Sequence, residues 1–409
     1  MDFPYGRPWL LDGAVGTNLL REGLTLSDCP EQFILDHPDK IVTLQSAYLG
    51  AGADTLYAPT FGANSERLSR FGLFERAEEI NRRLVELTKG ISGGKPVGGN
   101  ISPAGIKIGP EEEHTFSELM KVYAEQAAFL KTAGVDYFAI ETMSSLTDIR
   151  AAVLACRKQQ LPILACVTVD EDGLTASGTS ALACLVVLQE LGVSAFGLNC
   201  SLSPAQMAPI FEELASFAKI PLIAKPAASM PVLQDSPGFS LSPKEFAAEF
   251  IPLFERGVTI AGGCCGTTPE HLAALRKAMD SFDFNAVRPA HHSRDLVLTS
   301  VHEVFCYDLD MLEFSPTLHP AGDMTDEFME IEEDSYDIIS VEVETPDEAV
   351  SFAENDHMAE LPVSFLSSDE LALKTALLLY SGRAMVDSRS ELDREVLEKI
   401  AYKYGAVVY

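Results

Sequence analysis

The chain has 409 residues, 47% of them hydrophobic, and a formal net charge of −31 at pH 7. That length points to two domains with apolar content enough for a large core. The charge argues against nucleic acid or an anionic membrane surface as a partner, and no apolar run approaches the roughly 20 residues that span a bilayer.

The acid is unevenly spread. Residues 301–409 hold 26 Asp and Glu against 6 Lys and Arg, a net of −20, which leaves −11 on the first 300. The shift predicts a main domain over 1–288, a linker over 289–300 and a smaller acidic α/β domain over 301–409. His291 and His292 read as part of that linker, with a second metal site as the alternative. The N-terminal residues lack the basic and apolar regions of a secretory signal. Eight cysteines, at 29, 156, 166, 184, 200, 264, 265 and 306, are scattered along the chain. That spacing fits a reducing cytoplasm with a few working thiols better than a disulfide framework.

In chain order, Trp9 to Thr17 reads as a short strand ending in Asp12 and glycines, followed by a helix from Phe33 to Leu49. Strand Gly52–Thr60 precedes a helix over Glu75–Thr88, and the glycine-rich strand Lys95–Ser102 precedes a helix over Thr115–Ala133. Strand Val135–Thr142 carries Glu141 near its end and leads to helix Leu146–Arg157. Strand Leu161–Val169, helix Ser180–Leu191, a sixth strand ending at Cys200 and helix Pro204–Phe217 follow. Strand Pro221–Pro226, helix Pro243–Arg256 and a last strand from Val258 to the Cys264–Cys265 pair complete the series. Thr267 or Thr268 caps the next helix, with Pro269 at its first turn. Eight alternations in about 280 residues predict a (β/α)8 TIM barrel, with a doubly wound open sheet as the runner-up.

A barrel brings its strand tips to one mouth, so Asp12, Glu141, Cys200, Cys264 and Cys265 are predicted to share a site. Adjacent cysteines make a poor disulfide pair, but with a third thiol they suit a zinc ion that keeps one position open. The competing reading is that all three are small buried hydrophobes. A cation held by three thiolates keeps little charge for activating water. It is better suited to holding a substrate thiol as thiolate, since a free thiol with a pKa of about 8.5 is mostly protonated at neutral pH. An amino-acid thiol also needs partners for its two charges. Asp12 and Glu141 are the candidates for its ammonium, and the backbone amides of Gly13, Ala14 and the following turn for its carboxylate.

The runs Leu11–Thr17, Ala58–Asn64, Gly99–Pro103, Glu141–Met143, Gly197-Leu-Asn-Cys-Ser201 and Gly262-Gly-Cys-Cys-Gly-Thr267 together resemble the homocysteine S-methyltransferase family. That family includes the homocysteine domain of cobalamin-dependent methionine synthase, and the resemblance covers residues 8–280. It implies zinc at Cys200, Cys264 and Cys265, homocysteine placed by Asp12 and Glu141, and Asn199 as a further substrate neighbour. One departure stands out. Ala227 lies where methionine-synthase-like members usually carry an asparagine, which leaves the resting fourth ligand open.

The C-terminal region alternates strands at Asp337–Val343, Leu361–Leu366, Arg383–Asp387 and Gly405–Tyr409 with helices at Pro346–Asn355, Asp369–Tyr380 and Leu392–Tyr404. Gly382–Ser390 and Lys403–Val408 weakly resemble the middle of the pterin-binding barrel that follows the homocysteine domain in methionine synthase, and imply a partial module of that kind. The expected function is zinc-dependent methylation of homocysteine to methionine, with a methyl group from methylcobalamin on a partner protein or derived from methyltetrahydrofolate. No cobalamin-binding Asp-x-His-x-x-Gly motif is present, so a corrinoid would come from a separate protein or another methionine synthase module. The alternatives are an S-methylmethionine-type donor, another thiol or selenol as acceptor, and a non-catalytic zinc- or thiol-binding scaffold.

Overall fold

Eight short apolar runs become eight parallel strands: Trp9–Leu10, Leu56–Ala58, Val97–Ile101, Tyr137–Met143, Ile163–Val167, Ala195–Asn199, Leu222–Lys225 and Val258–Ala261. The computed structural model describes residues 7–108, 114–230, 238–287, 296–308 and 312–409. Each strand pairs with its neighbour in parallel, and the eighth returns beside the first, with Ile260 opposite Trp9. Among the described residues no ladder joins the first strand to the second. That seam is closed by single bonds. Asp54 donates its amide to the Leu10 carbonyl at 2.7 Å, and its carboxylate accepts from the Leu10 amide at 2.8 Å. Asp12 Oδ2 accepts from the Tyr57 amide at 2.8 Å. The architecture is the expected TIM barrel.

Side chains alternate across each strand. Tyr137 and Ala139 point inward with Trp9, Leu11, Tyr57, Leu164, Ile223 and Ile260, while Phe138 and Ile140 pack outward under the helices. Glu141 continues the inward row of Tyr137 and Ala139, and Lys225 continues that of Ile223. Both therefore cap the apolar interior at the C-terminal mouth.

Helices Leu146–Arg157 and Pro204–Phe217 run as expected. Prolines divide two others. The helix expected over Phe33–Leu49 is a pair, Pro30–Asp36 and Pro38–Gly50, broken at His37, because Pro38 has no N–H and disfavours a helical residue before it. The helix expected over Pro243–Arg256 is Pro243–Glu249 and Ile251–Glu255, with Pro252 at the start of the second. None of the described helices is long and apolar enough to cross a membrane.

The C-terminal region holds a parallel sheet of Ile339–Glu342, Val363–Leu366, Met385–Val386 and Val407–Val408, in that order. The helices Pro346–Asn355, Glu370–Leu379 and Arg394–Tyr404 connect its strands. The 296–300 part of the expected linker contains a strand, Leu296–Thr299, paired antiparallel with Val304–Tyr307. The rest of that linker, with His291 and His292, lies outside the described residues. The region packs on one flank of the barrel. Arg150, fully buried in helix Leu146–Arg157, donates to the carbonyls of Leu377 and Leu378. Thr147 and Ser381 share a hydroxyl bond of 2.8 Å, and the Ser180 amide donates to the His302 carbonyl at 2.9 Å.

Candidate functional site

The eighth strand ends at Ala261 and turns sharply through Gly262–Gly266. The turn needs glycine at 266, where φ is +79° and a Cβ would lie 2.0 Å from Ser229 Oγ. Cys264 donates its amide to the Pro226 carbonyl at 2.8 Å, and the Cys265 carbonyl accepts from Ala228 at 2.8 Å. These bonds fasten the thiol pair to the loop after the seventh strand. Thr268 takes the N-cap position of helix Pro269–Ser281. Thr267 instead ties the first strand's turn to the thiol pair. Its Oγ1 accepts from the Ala14 amide at 3.0 Å and donates to the Cys264 carbonyl at 2.7 Å.

Cys200 arrives from the sixth strand. Its φ is +64°, that of Ser201 is +51° and that of Thr142, across the mouth, is +62°. Three of the four described non-glycine residues in the left-handed region thus sit at this rim, where surrounding bonds must hold them. The Cys200 amide donates to the Lys225 carbonyl at 3.0 Å. Asn199 braces Thr142 with both ends of its amide, accepting from the Thr142 amide at 2.7 Å and donating to Thr142 Oγ1 at 2.8 Å.

The outcome is a sulfur trio. Cys200, Cys264 and Cys265 Sγ lie within 4.8 Å of one another, with Cys200 and Cys265 3.4 Å apart. Sulfhydryl donation from Cys264, then Cys265, pulls the Cys200 thiol well below its ordinary range, and the same contact with Cys200 pushes Cys264 up. Such a trio cannot carry three negative charges unaided. A divalent cation would relieve that repulsion, and three sulfurs with room for a fourth ligand are a donor set that fits zinc. The buried-hydrophobe reading fits other thiols instead: burial pushes Cys184 up to about 12 and Cys29 up to about 11.

A cavity of about 540 Å³ opens over the sulfurs. Asp12, Gly13, Ala14, Glu141, Cys200, Cys264 and Cys265 line it, joined by Tyr57, Asn100, Thr142 and Lys225, which the sequence alone did not single out. Leu19, Leu20, Ile34 and Phe61 supply an apolar wall. Asn199 lies behind the lining, its amide nitrogen 4.0 Å from Cys264 Sγ. Ala227 is buried, with its amide donated to the Leu202 carbonyl at 2.9 Å.

Two carboxylates and one ammonium form the floor. Glu141 accepts from Asn100 Nδ2 at 2.9 Å and from Lys225 Nζ at 2.7 Å. Lys225 is 3% exposed and stands over the Tyr57 ring, 4.0 Å from its centroid. Burial pulls its ammonium down, but Glu141 and then Asp12 outweigh that effect and hold it above its ordinary range. Burial pushes the Asp12 carboxyl up to about 7 against the pull of Lys225 and the Tyr57 amide. The sequence did carry a signal for Lys225. It closes an apolar strand run in register with the inward Ile223, where a solvated lysine would be out of place.

A family model described as homocysteine S-methyltransferase matches residues 9–279. The chain belongs to the homocysteine S-methyltransferase family. It is 33% identical over 292 residues to the methionine synthase of Mycobacterium tuberculosis (strain ATCC 25618 / H37Rv), covering 66% of this chain and 24% of that protein. The methionine synthase of Mycobacterium leprae (strain TN) is 32% identical over the same length and coverage. The chain thus spans about a quarter of the length of these relatives. Its fold is like that of the metallated form of the homocysteine methyltransferase MmuM from Escherichia coli, with a TM-score of 0.57 and 22% identity over 66% of this chain and 96% of that one. The oxidized form of the same enzyme gives a TM-score of 0.56.

Proposed function

We propose that this family member is a zinc-dependent homocysteine S-methyltransferase that makes methionine. The observation that carries the reading is the convergence of three sulfurs from two distant strand tips beside a buried charged floor. Cys200, Cys264 and Cys265 would hold the metal. Zinc bound there supplies the charge that keeps a substrate thiol deprotonated at neutral pH. Asp12 is the anion for the substrate's ammonium. Its Oδ2 is steadied by the Tyr57 amide, so the carboxylate is oriented before substrate arrives. The turn at Gly13 and Ala14 borders the amino-acid end, and the apolar wall keeps water from the sulfur. Asn199 holds the Thr142 tip and leans on Cys264, a positioning role behind the substrate.

Methyl transfer would form the sulfur–methyl bond from the thiolate's lone pair as the donor–methyl bond breaks in line, its electron pair staying on the donor, and the product would be a neutral thioether. Methylcobalamin on a separate corrinoid protein or methionine synthase module is the first choice of donor, supported by likeness to methionine synthases. S-methylmethionine is the alternative. For residues 301–409 we propose a docking or partial pterin-binding-like module, in keeping with a four-stranded parallel sheet that does not close.

Adding homocysteine to zinc-loaded protein should release about one proton per site near neutral pH. No release would overturn the thiolate reading. A donor panel, with and without corrinoid protein, then separates the two donor classes, and methionine from neither would leave the barrel a binding scaffold.

A further inference from the structure

Cys200 and Ser201 are non-glycine residues in the left-handed region, a conformation that persists only where neighbours over-determine it. The peptide that enters Cys200 is held at both ends. Its N–H, on Cys200, is donated to the Lys225 carbonyl of the seventh strand at 3.0 Å. Its carbonyl, on Asn199, accepts from Thr168 Oγ1 at 2.9 Å, from the side of the fifth strand. The ladder between the fifth and sixth strands does not supply that second bond. It ends at the pair Val167 and Leu198, and the Thr168 amide turns the other way, donating to the Met143 carbonyl of the fourth strand at 2.8 Å. The hydroxyl stands in for a ladder donor.

Thr168 thereby completes a ring of hydrogen bonds. Its amide holds Met143, its hydroxyl holds the Asn199 carbonyl, and the Asn199 side chain braces the left-handed Thr142. The ring ties together the tips of the fourth, fifth and sixth strands. Cys200 hangs from it, with Sγ 3.4 Å from Cys265 Sγ. Asn199 is 1% exposed, so a carbonyl deprived of the Thr168 hydroxyl has little water to replace it.

Resting on the reading of the three sulfurs as metal ligands, we propose that Thr168 is a positioning residue for Cys200, its hydroxyl fixing the Asn199–Cys200 peptide so that the third sulfur stays turned toward the Cys264–Cys265 pair. Thr168 is not part of the cavity lining and acts only through Cys200. Without the hydroxyl, the peptide is free to rotate, the backbone at Cys200 relaxes toward negative φ, and Sγ swings off the pair. The Cys264–Cys265 turn keeps its own bonds to Pro226 and Ala228.

The test is metal binding by the full chain, read in two ways. A chromophoric chelator gives the zinc affinity, and cobalt(II) in place of zinc reports thiolate ligation through its sulfur-to-metal absorption. Thr168→Val keeps the shape of the side chain and removes the donor. It should bind zinc about tenfold or more weaker than the wild type, as loss of an outer-shell partner does, and its cobalt form should lose part of the sulfur-to-metal absorption. Thr168→Ser keeps the hydroxyl and should match the wild type in both readouts. In a Cys200→Ala background, where the third sulfur is already gone, Thr168→Val should have no further effect. A general loosening of the mouth would instead weaken binding in both backgrounds. If valine disturbs the fold in circular dichroism, Thr168→Ala removes the hydroxyl without putting a methyl in its place and carries the same expectations. The proposal is overturned if loss of the hydroxyl leaves zinc affinity and the cobalt spectrum unchanged, if serine fails to preserve them, or if the loss is as large in the Cys200→Ala background. If the wild type binds neither metal, the metal reading itself fails, a result distinct from any difference among the variants.

Discussion

The chain builds two parallel α/β sheets from the same strand-and-helix alternation, and only one of them closes. In the barrel, ring closure carries strand tips more than 60 residues apart in sequence to a single mouth, so Cys200 meets Cys265 at 3.4 Å. In the C-terminal sheet the four strands lie in a row, and the polar groups near their ends find partners close by. Asp387 pairs with Arg389 two residues on, and the Glu344 carboxylate takes the amide and hydroxyl of Ser368. The contrast teaches that the chemistry here depends on closure more than on the repeat itself. Charged groups converge and go unsatisfied by near neighbours only where the sheet curls back on itself.

Removing one sulfur should have the largest effect. Cys264→Ala should lower zinc affinity by more than the roughly 10–100-fold that loss of an outer-shell partner brings, and should abolish methyl transfer. Metal titration against a chromophoric chelator reads the first effect. The C-terminal sheet should be untouched in hydrogen exchange.

The converse attack is on the C-terminal packing. Arg150→Met removes the donor for two carbonyls and the cation facing Asp356, at a cost on the order of 3–5 kcal/mol by denaturant unfolding. Zinc affinity should remain, since no sulfur depends on that flank.

Asn199→Ala removes the brace on Thr142 and the contact to Cys264. A loss of about tenfold or more in metal affinity is expected, with the fold retained in circular dichroism.

Asp12 gives a pH-dependent effect. Its folded carboxyl titrates at about 7, above its ordinary value of 3.8, so the fold keeps a proton that the unfolded chain releases. Its stabilisation is complete below pH 4 and is lost as pH rises through 7. Asp12→Asn should flatten the stability of metal-free protein across that window, by on the order of 4 kcal/mol. The smallest expected effect is that of Cys184→Ala. This thiol is a buried helix residue, and its loss should cost about 1 kcal/mol and leave zinc stoichiometry unchanged.

The barrel was legible because each strand run is short, apolar and bounded by glycine or proline, and each helix carries its own period. The sulfur site was legible for the same reason, since Cys200 and the Cys264–Cys265 pair sit where strands stop. Partnership was much harder to read. Lys225 falls in register with the inward Ile223, but nothing local shows that Glu141, 84 positions earlier, will lie 2.7 Å away. The bond between Thr142 and Asn199 spans 57 positions and is equally silent in the sequence. The hairpin Leu296–Tyr307 was hidden by its place next to a polar stretch. Pro38 and Pro252 did carry a local signal, and the proline rule should have divided both helices in advance.

The first and second strands are joined by single bonds instead of a ladder. Asp12 fastens that joint through the Tyr57 amide and also faces the cavity. An incoming ligand that grips its carboxylate therefore pulls on the clasp of the ring itself. Deuterium uptake at the Tyr57 amide would register an occupied pocket as a tightened wall, a mechanical report available before any methyl group has moved.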